Sequence, residues 1–390
     1  MNQDMTTDCH RAPAIQVRVI RDIDSFAALR DRWAQLLDDG GFQAPFLSWT
    51  WYFTWWKHFG RSDELFLVVG EDASGALAFV APLRKHRTTR RGLRLRELRF
   101  LDNGIGPRND ILVSNRVRPE DAAVALLDCL ARHQREWDLA TLANIDEAAT
   151  SLVAMRQAAA ASDFKLLQES GRTSPLISLE HDFEQYFSRT FDRKHRYNIR
   201  RAVRDAEEKA RAAVACFSRP QDVAPALQRA FHVSRASWKG QQNSDMGGCE
   251  LRRAFYHDIT QQFAQQGVIQ LWLLDLDDQP VSLQYQLVSG PHVYLLVSDY
   301  DARFHGHSPG TVLLYRVLEQ LCRQGICEFD FCGEAYDYKM RWSTGVRRHV
   351  TLQIFGRTGY GRGIFWAKTG LLPLLRRIRR VSRRSSALLT

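Results

Sequence analysis

The sequence lacks the features that mark secreted, disulfide-bonded or membrane-spanning proteins. Its seven cysteines contain no C-x-x-C pair, and an odd count fits reduced thiols better than a disulfide framework. No run of about 18 apolar residues is present that could span a bilayer. Residues 1–14 contain no apolar signal-peptide core. These absences predict a soluble, cytoplasmic protein, with peripheral attachment to a membrane as the remaining option.

Lysine is scarce as well. Only eight of the 54 basic residues are lysine, so arginine supplies most of the net charge of +10. Such a balance suits anionic ligands, which include nucleotide phosphates, anionic lipid surfaces and nucleic acid. The sequence has no zinc-ligand spacing, no RNP-type segment and no clear helix-turn-helix, so nucleic acid is the least favoured partner and no metal site is predicted.

The order of predicted elements is similar in the two halves of the 390-residue chain. Each half reads as a helix pair, an antiparallel hairpin, and then a helix and a strand. We therefore predict an α/β (α+β) fold with tandem domains, each a mixed, largely antiparallel sheet flanked by helices. The predicted division is a first domain at 1–170, a second at 171–358 and a basic amphipathic tail at 359–390.

Two helices of the first half are predicted from local signals. The segment from Ser25 to Leu37 reads as an amphipathic helix with Ser25 as its N-cap. The segment from Phe46 to Gly60 contains four tryptophans at helical spacing. We favour a buried aromatic helix for this segment over a role in lining a substrate site.

The stretch from Asp299 to Gly345 carries the clearest chemical signal. It contains a helix start in which Ser308 can cap, Pro309 presets the backbone and Gly310 lets a ligand approach closely. With Thr311, these residues would hold a phosphate or pyrophosphate, because free amides and the helix dipole favour anions. A simple turn is the alternative.

The strands predicted on either side of this helix, His292 to Asp299 and Cys327 to Cys332, add to that signal. If they are parallel neighbours that splay apart, a pantetheine arm could enter between them. A thioester carbonyl would then meet a backbone amide of one strand. The residues predicted for that contact are Leu296, Val297 and Ser298.

Several segments together resemble a known family. They read FLSWTWYFTWWKHFG, VAPLRK, KHRYNIRRAVRDAE, SPGTVLLY and FDFCGEAYDYKMRW, and extend from about Phe46 to Trp342. They are similar to the GNAT superfamily, most closely to its BioF2-like or CelD-like acetyltransferases, which are distantly similar to the Fem peptidyltransferases. The resemblance implies acyl transfer from acyl-CoA or acetyl-CoA, as a co-substrate, to an amine, with no tightly bound cofactor and the donor site in the second domain.

The resemblance also implies candidate catalytic residues. Glu334 follows the second strand and is our first candidate for the general base, although a solvated loop carboxylate is the alternative. Tyr338 and Lys339 match an aromatic-lysine step of Fem-like relatives, in which the cation would steady negative charge. For Lys339, an ion pair with Asp330 or Asp337 remains open. His307 is a further candidate base or phosphate contact.

The candidates for substrate binding are mostly basic or aromatic. Basic residues recur at three- and four-residue steps along a predicted helix from Lys194 to Ala213, so several of them share one face, which is either solvated or recognises an acidic substrate. The predicted substrate-binding residues are Arg200, Arg204, Trp238 and Asp330.

Two functions remain open from the sequence. The first is an N-acyltransferase that acts on an envelope amine, either a sphingoid-type lipid or an amino sugar of an exopolysaccharide, since the resembling branch is associated with both. The second is a non-catalytic GNAT-like accessory protein of cellulose-type polysaccharide biosynthesis. Residues 362–390 mix apolar and arginine side chains and are predicted to contact an anionic membrane surface at the inner face of the cytoplasmic membrane.

Overall fold

Two β-sheets organise the residues that the computed structural model describes, which are 15–90, 92–179 and 182–371. The strands are β1 (Gln16–Ile20), β2 (Glu64–Leu65), β3 (Leu67–Glu71), β4 (Leu77–Ala81), β5 (Leu83–Arg90), β6 (Leu93–Phe100), β7 (Leu112–Val113), β8 (Leu139–Asp146), β9 (Lys165–Ser178), β10 (Ala213–Phe217), β11 (Ile269–Leu276), β12 (Gln279–Ser289), β13 (His292–Tyr300), β14 (Glu328–Asp330) and β15 (Gly345–Phe355).

Helices flank these sheets. They are α1 (Ile23–Ala27), α2 (Arg30–Gly40), α3 (Trp49–Phe59), α4 (Pro119–Arg132), α5 (Thr150–Ala160), α6 (Phe183–Thr190), α7 (Arg193–Lys209), α8 (Pro220–Ala236), α9 (Trp238–Gln241), α10 (Glu250–Gln265), α11 (Pro309–Arg323), α12 (Asp337–Trp342) and α13 (Gly359–Trp366). A 3-10 helix at Ala302–His307 leads into α11, and a short π-helix at Ala367–Leu371 follows α13.

The larger sheet is mixed and mostly antiparallel. Its strand order is β10-β11-β12-β13-β14-β9-β15-β8-β6-β5-β2, and the smaller sheet has the order β1-β3-β4-β7. Only the pairs β6–β8 and β13–β14 are parallel among the described strands. Each parallel pair is joined through a helix, α4 or α11, because parallel neighbours need a long crossover connection. The two halves thus repeat one arrangement, and the predicted fold class is confirmed.

The larger sheet runs through both halves of the chain. Strand β9 spans the predicted boundary between residues 170 and 171, and it pairs with both β14 and β15. Strand β15, from the end of the described chain, lies between β8 and β9. The two halves therefore share backbone hydrogen bonds as well as side-chain contacts.

The tryptophan-rich helix α3 is buried between the halves. Ser48 caps it by accepting a hydrogen bond from the amide of Trp51. Trp51 and Trp55 are each 1% exposed, and Trp51 packs edge-on against Phe255 of α10, with ring centroids 5.4 Å apart. The buried aromatic helix predicted from the sequence is confirmed.

The predicted helix from Ser25 to Leu37 is wrong in its start and its continuity. The cap is Asp22, whose carboxylate accepts from the amide of Ser25, because an aspartate oxygen reaches the free amides of the first turn. The chain then breaks between α1 and α2 at Ala28 and Leu29.

At the C-terminal end the described chain includes α13 and the following π-helix. Residues 372–390, which hold most of the predicted basic tail, lie outside the described residues. Within the part of the chain that the structure describes, no helix is both long and apolar enough to cross a membrane.

Candidate functional site

The parallel strands β13 and β14 separate after a short paired segment. They pair only from His292–Tyr294 with Glu328–Asp330, and β13 continues to Tyr300 after β14 has ended. We call this divergence the splay. On its other side β13 pairs with β12 through a bulge, in which Gln286 faces Leu295 and Tyr285 faces Val297, so that Leu296 has no partner in the register. The predicted carbonyl-binding segment, which also includes Ser298, thus lies at the splay.

Strand β14 ends at a turn that is held by Asp330. Its Oδ1 accepts hydrogen bonds from the amide of Cys332 and the hydroxyl of Ser174, each at 2.8 Å. Arg347 donates to its other oxygen, and Arg108 lies 3.8 Å from it. Burial opposes ionisation of Asp330, but the two arginines outweigh it and hold its pKa below the usual value. The carboxylate that was predicted to bind substrate is therefore engaged inside the protein.

Lys339 is buried behind the same turn. Its Nζ donates to the carbonyl oxygen of Phe331 at 3.2 Å and lies over the Phe331 and Tyr336 rings, 5.8 Å from each centroid. A Cβ on Gly333 would lie 2.8 Å from this Nζ, so a larger residue there would displace the ammonium group. Burial lowers the pKa of Lys339 to about 8. Its nearest partner is thus a backbone carbonyl, rather than Asp330 or Asp337.

A cleft of about 650 Å³ opens from the splay. It lies between α7, α11 and α12, with Leu295 and Ser298 of β13 and Phe331 after β14 at its inner end. Its lining includes seven of the residues predicted for the site, which are Trp238, Ser298, Ser308, Pro309, Gly310, Thr311 and Tyr338.

The other predicted residues lie outside that lining. Glu334 and His307 are exposed, and Glu334 Oε1 lies 3.5 Å from Arg172 Nε. Arg200 pairs with Glu184 at 2.5 Å, and Arg204 is exposed on α7. The structure therefore brings the helix start and Tyr338 together at one cleft, whereas the predicted base and the two arginines face other surroundings.

The start of α11 differs in detail from the prediction. Ser308 occupies the N-cap position as predicted, but it has a left-handed backbone, with φ of 50°, and its side chain makes no capping hydrogen bond. The amides of Thr311 and Val312 instead donate to the carbonyl oxygen of Ser308, at 2.9 and 3.1 Å. Pro309 has no N–H, so Gly310 presents the first amide of the helix to the cleft.

Sequence reasoning missed a buried polar cluster beside the cleft. Asp299 is the last but one residue of β13 and lines the cleft while only 4% exposed. Its Oδ2 accepts from the hydroxyl of Ser234 at 2.6 Å, and its Oδ1 lies 2.5 Å from the Nζ of Lys239. The available signals were weak: a polar residue at a strand end, and one of the few lysines beside Trp238.

Among the residues that the structure describes, no group of three or more histidine, cysteine or acidic side chains is placed to hold a metal ion. Cys332 is partly buried, and desolvation raises the pKa of its thiol well above the usual value, so it is poorly suited to form an acyl-enzyme. The cleft therefore offers a helix start, aromatic side chains and the Asp299 cluster as its chemical groups.

Comparison with known structures shows the same fold in several proteins. The crystal structure of FemX superposes with a TM-score of 0.54 at 12% identity, covering 86% of this chain and 96% of that one. The C-terminal domain of a putative lysylphosphatidylglycerol synthetase from Agrobacterium fabrum gives 0.53 at 11%, covering 88% and 96%. L-PGS from Bacillus licheniformis gives 0.52 at 11%, covering 84% and 92%. At these identities the likeness concerns the fold.

The family comparison is more specific. Residues 193–340 match the family described as an acetyltransferase (GNAT) domain, and this range contains the splay, the start of α11 and α12. No curated protein sequence matches the chain significantly. The narrower resemblance to the BioF2-like or CelD-like branch stays a prediction. Residues 193–340 therefore contain a GNAT-type acetyltransferase domain, and the described chain shares its overall fold with FemX.

Proposed function

We propose that this protein is an N-acyltransferase that transfers an acyl group from acyl-CoA to a primary amine of an envelope-directed acceptor. The observation that carries the proposal is the continuous cleft between the splay and the start of α11. A splay admits an extended arm between two strands, and a helix start favours an anion.

The donor end of the proposed complex is built from α11 and its surroundings. The amide of Gly310 and the positive end of the helix dipole would face the pyrophosphate. His195, His305 and Arg341 also line the cleft, and each can donate to phosphate oxygens when charged. The predicted anion site at Ser308, Pro309, Gly310 and Thr311 thus keeps its place in the proposal.

At the thioester end, the proposal uses backbone and charge. An amide near Leu296 or Val297 would donate to the thioester carbonyl oxygen, and the cation of Lys339 would stabilise the negative charge that develops there. The acceptor nitrogen forms a bond to the carbonyl carbon, the C–S bond breaks, and CoA leaves as the thiol. Tyr338, in the cleft wall, would contact the acceptor.

The proposed acceptor is a lipid amine first and an amino sugar second. Apolar side chains line much of the cleft, including Phe191, Ile199 and Leu314. Trp238 and Tyr338 line the cleft and are exposed, and aromatic rings of this kind suit a membrane interface. One protein of similar fold is named as a putative lysylphosphatidylglycerol synthetase, so its name also gives a lipid. We retain the division at residue 170 and the membrane contact through 362–390 as parts of this proposal.

The proposal predicts free-thiol release when acetyl-CoA or palmitoyl-CoA is mixed with a primary amine. The test panel is octylamine, sphinganine and glucosamine, with mass spectrometry to identify the amide. Amide formation on any of the three supports an N-acyltransferase, and the preferred amine selects between lipid and sugar. If the protein binds CoA but forms no amide with any amine, it acts as a non-catalytic accessory protein and the N-acyltransferase proposal is wrong.

The donor site is tested by Gly310→Glu. A Cβ at Gly310 would meet only Tyr300, at an ordinary 3.5 Å, so the fold should tolerate the change. The new carboxylate would repel the pyrophosphate at the helix start, and we expect KM for acyl-CoA to rise about tenfold with little change in kcat. The matched control is Gly359→Glu at the first residue of α13, where a Cβ meets nothing within 4 Å. Equal KM values for the two variants would contradict this donor site.

A further inference from the structure

The buried cluster around Asp299 carries an inference about the acceptor. Resting on the proposed N-acyl transfer, we propose that Asp299 forms a subsite for the acceptor's primary ammonium group and then accepts its proton. Without an acceptor, the ammonium group of Lys239 occupies the position beside the Asp299 carboxylate, and the acceptor displaces it. The substrate class is a primary amine attached to an apolar or aromatic-binding body, and Asp299 replaces Glu334 as the catalytic base.

Three elements assemble the subsite from distant parts of the chain. Asp299 projects from the end of β13, Ser234 from the last turns of α8, and Lys239 from α9. The Lys239 Nζ lies 2.5 Å from Asp299 Oδ1 and 3.4 Å from the carbonyl oxygen of Ser298. A carboxylate and a carbonyl are what the three N–H donors of an ammonium group require. The position of the lysine nitrogen therefore marks where a substrate ammonium can bind.

The surroundings of this position favour a cation with an apolar body. Trp238 and Tyr338 line the same part of the cleft as Asp299, and both rings are partly exposed to it. Lys239 Nζ lies 5.9 Å from the centroid of the Trp238 ring, within the range of a cation–π contact. A neutral acceptor would gain from neither the carboxylate nor the ring.

The local charge balance also permits the exchange. Asp245 is fully buried close behind, and the nearest cation to its carboxylate is Arg235, at 3.6 Å in the described chain. The side chain of Lys239 is about a quarter exposed, so it has a route toward solvent when an acceptor displaces it. An incoming ammonium restores the balance.

Asp299 is also better suited than Glu334 to accept a proton. Burial raises the pKa of Asp299, although Lys239 and Ser234 act against that rise. A carboxylate of raised pKa holds a proton more readily during the reaction. Glu334, in contrast, is exposed and lies beside Arg172, outside the cleft lining.

The proposed step balances in atoms and charge. The bound R–NH3⁺ transfers one proton to the Asp299 carboxylate, and the nitrogen lone pair then attacks the thioester carbon. As the C–N bond forms and the C–S bond breaks, a second proton from nitrogen goes to the departing thiolate. The products are the amide, CoA thiol and one proton, which Asp299 returns to solvent.

The first test measures turnover of acetyl-CoA with octylamine against pH. Asp299→Asn removes the base, and we expect kcat/KM to fall by about 100- to 10,000-fold. Lys239→Met removes the cation that opposes the raised pKa of Asp299, so the acidic limb of the kcat/KM profile should move to higher pH. The groups facing Asp299 from the packed elements are Ser234, Lys239, Asp245, Tyr256 and Tyr338.

The matched controls form a second ion pair between a helix and a strand. Arg229 of α8 pairs with Asp275 of β11 at 2.5 Å, and Arg229→Met and Asp275→Asn should leave the pH profile unchanged. If kcat/KM of Lys239→Met is lower at every pH but its acidic limb does not shift, Lys239 has a structural role only. Full turnover in folded Asp299→Asn would overturn the subsite while leaving the N-acyltransferase proposal intact.

The second test does not need turnover. Calorimetry should show octylamine binding to the wild-type protein at least about tenfold more tightly than to Asp299→Asn, with octanol binding equally to both, because only the amine carries the charge. Equal octylamine affinities would contradict the subsite. Charge-dependent binding without any acyl-CoA consumption would retain the subsite and overturn the proposed reaction.

Discussion

Asp330→Ala is expected to destabilise the protein by about 3 kcal/mol. The change leaves the hydroxyl of Ser174 and the amide of Cys332 without their shared acceptor, and it removes the carboxylate that faces Arg108 and Arg347. This loss of stability is near the lower end of the range for breaking a buried ion pair, because Arg347 still pairs with Glu328 at 3.1 Å and with Asp146 at 3.2 Å. The turn that ends β14 loses its anchor.

Urea unfolding at several pH values measures this effect. The pKa of Asp330 is lower in the folded state than its ordinary value of 3.8, so its contribution is present above that value and is lost as pH falls through the folded pKa. The difference between variant and wild type should therefore be constant near neutrality and shrink in acid. Asp205→Ala, at an exposed i,i+4 pair with Lys209 on α7, is the control and should leave the unfolding midpoint unchanged. Equal midpoints for the two variants would contradict the anchoring role.

Lys339→Met is expected to lower kcat by about 100-fold, because it removes the buried cation that donates to the carbonyl oxygen of Phe331, just after β14. The cation would stabilise the oxyanion at the splay, and the methionine side chain has similar length without charge. Since the pKa of Lys339 is lowered to about 8, the wild-type lysine loses its charge as pH rises through that value. We therefore expect wild-type kcat to fall above this pH.

Two further variants separate charge from packing. Lys339→Arg keeps a positive charge at high pH, so the alkaline fall of kcat should shift to higher pH. The larger side chain can also lower the maximal kcat without affecting this shift. Lys85→Met is the matched control, because Lys85 is also buried, at 7% exposed, and pairs with Glu64 on the far edge of the sheet. A kcat for Lys339→Met that equals the control, or an alkaline limb unmoved in Lys339→Arg, would show that the charge has no role.

Local signals were sufficient to predict the start of α11 and the strands on either side of it. The start of α11 follows from Pro309 and Gly310, and the flanking strands follow from apolar runs of strand length. These elements are consecutive in the chain, so their parallel pairing could be inferred from the crossover helix, whereas the splay was only a condition for the predicted site. The absence of a side-chain capping bond at Ser308 could not be predicted, because the left-handed backbone of this residue depends on how the preceding 3-10 helix enters α11.

The acceptor end depends on contacts between distant residues. Ser234 and Asp299 are 65 positions apart, and no periodicity in the sequence relates them. Strand β15 is placed between β8 and β9 by pairing across the whole chain, which local propensity does not encode. Glu334 was favoured as the base because it follows a strand, but a residue's position along a strand does not determine whether its side chain reaches the cleft.

A crystal structure of the protein with bound CoA tests the central claim most directly. The account predicts the pyrophosphate at the amide of Gly310, the pantetheine arm entering between β13 and β14, and the thiol near Leu296 and Val297. Gly310→Glu crystals soaked in the same way should show weaker occupancy. CoA bound at another surface, with the splay empty, would contradict the account.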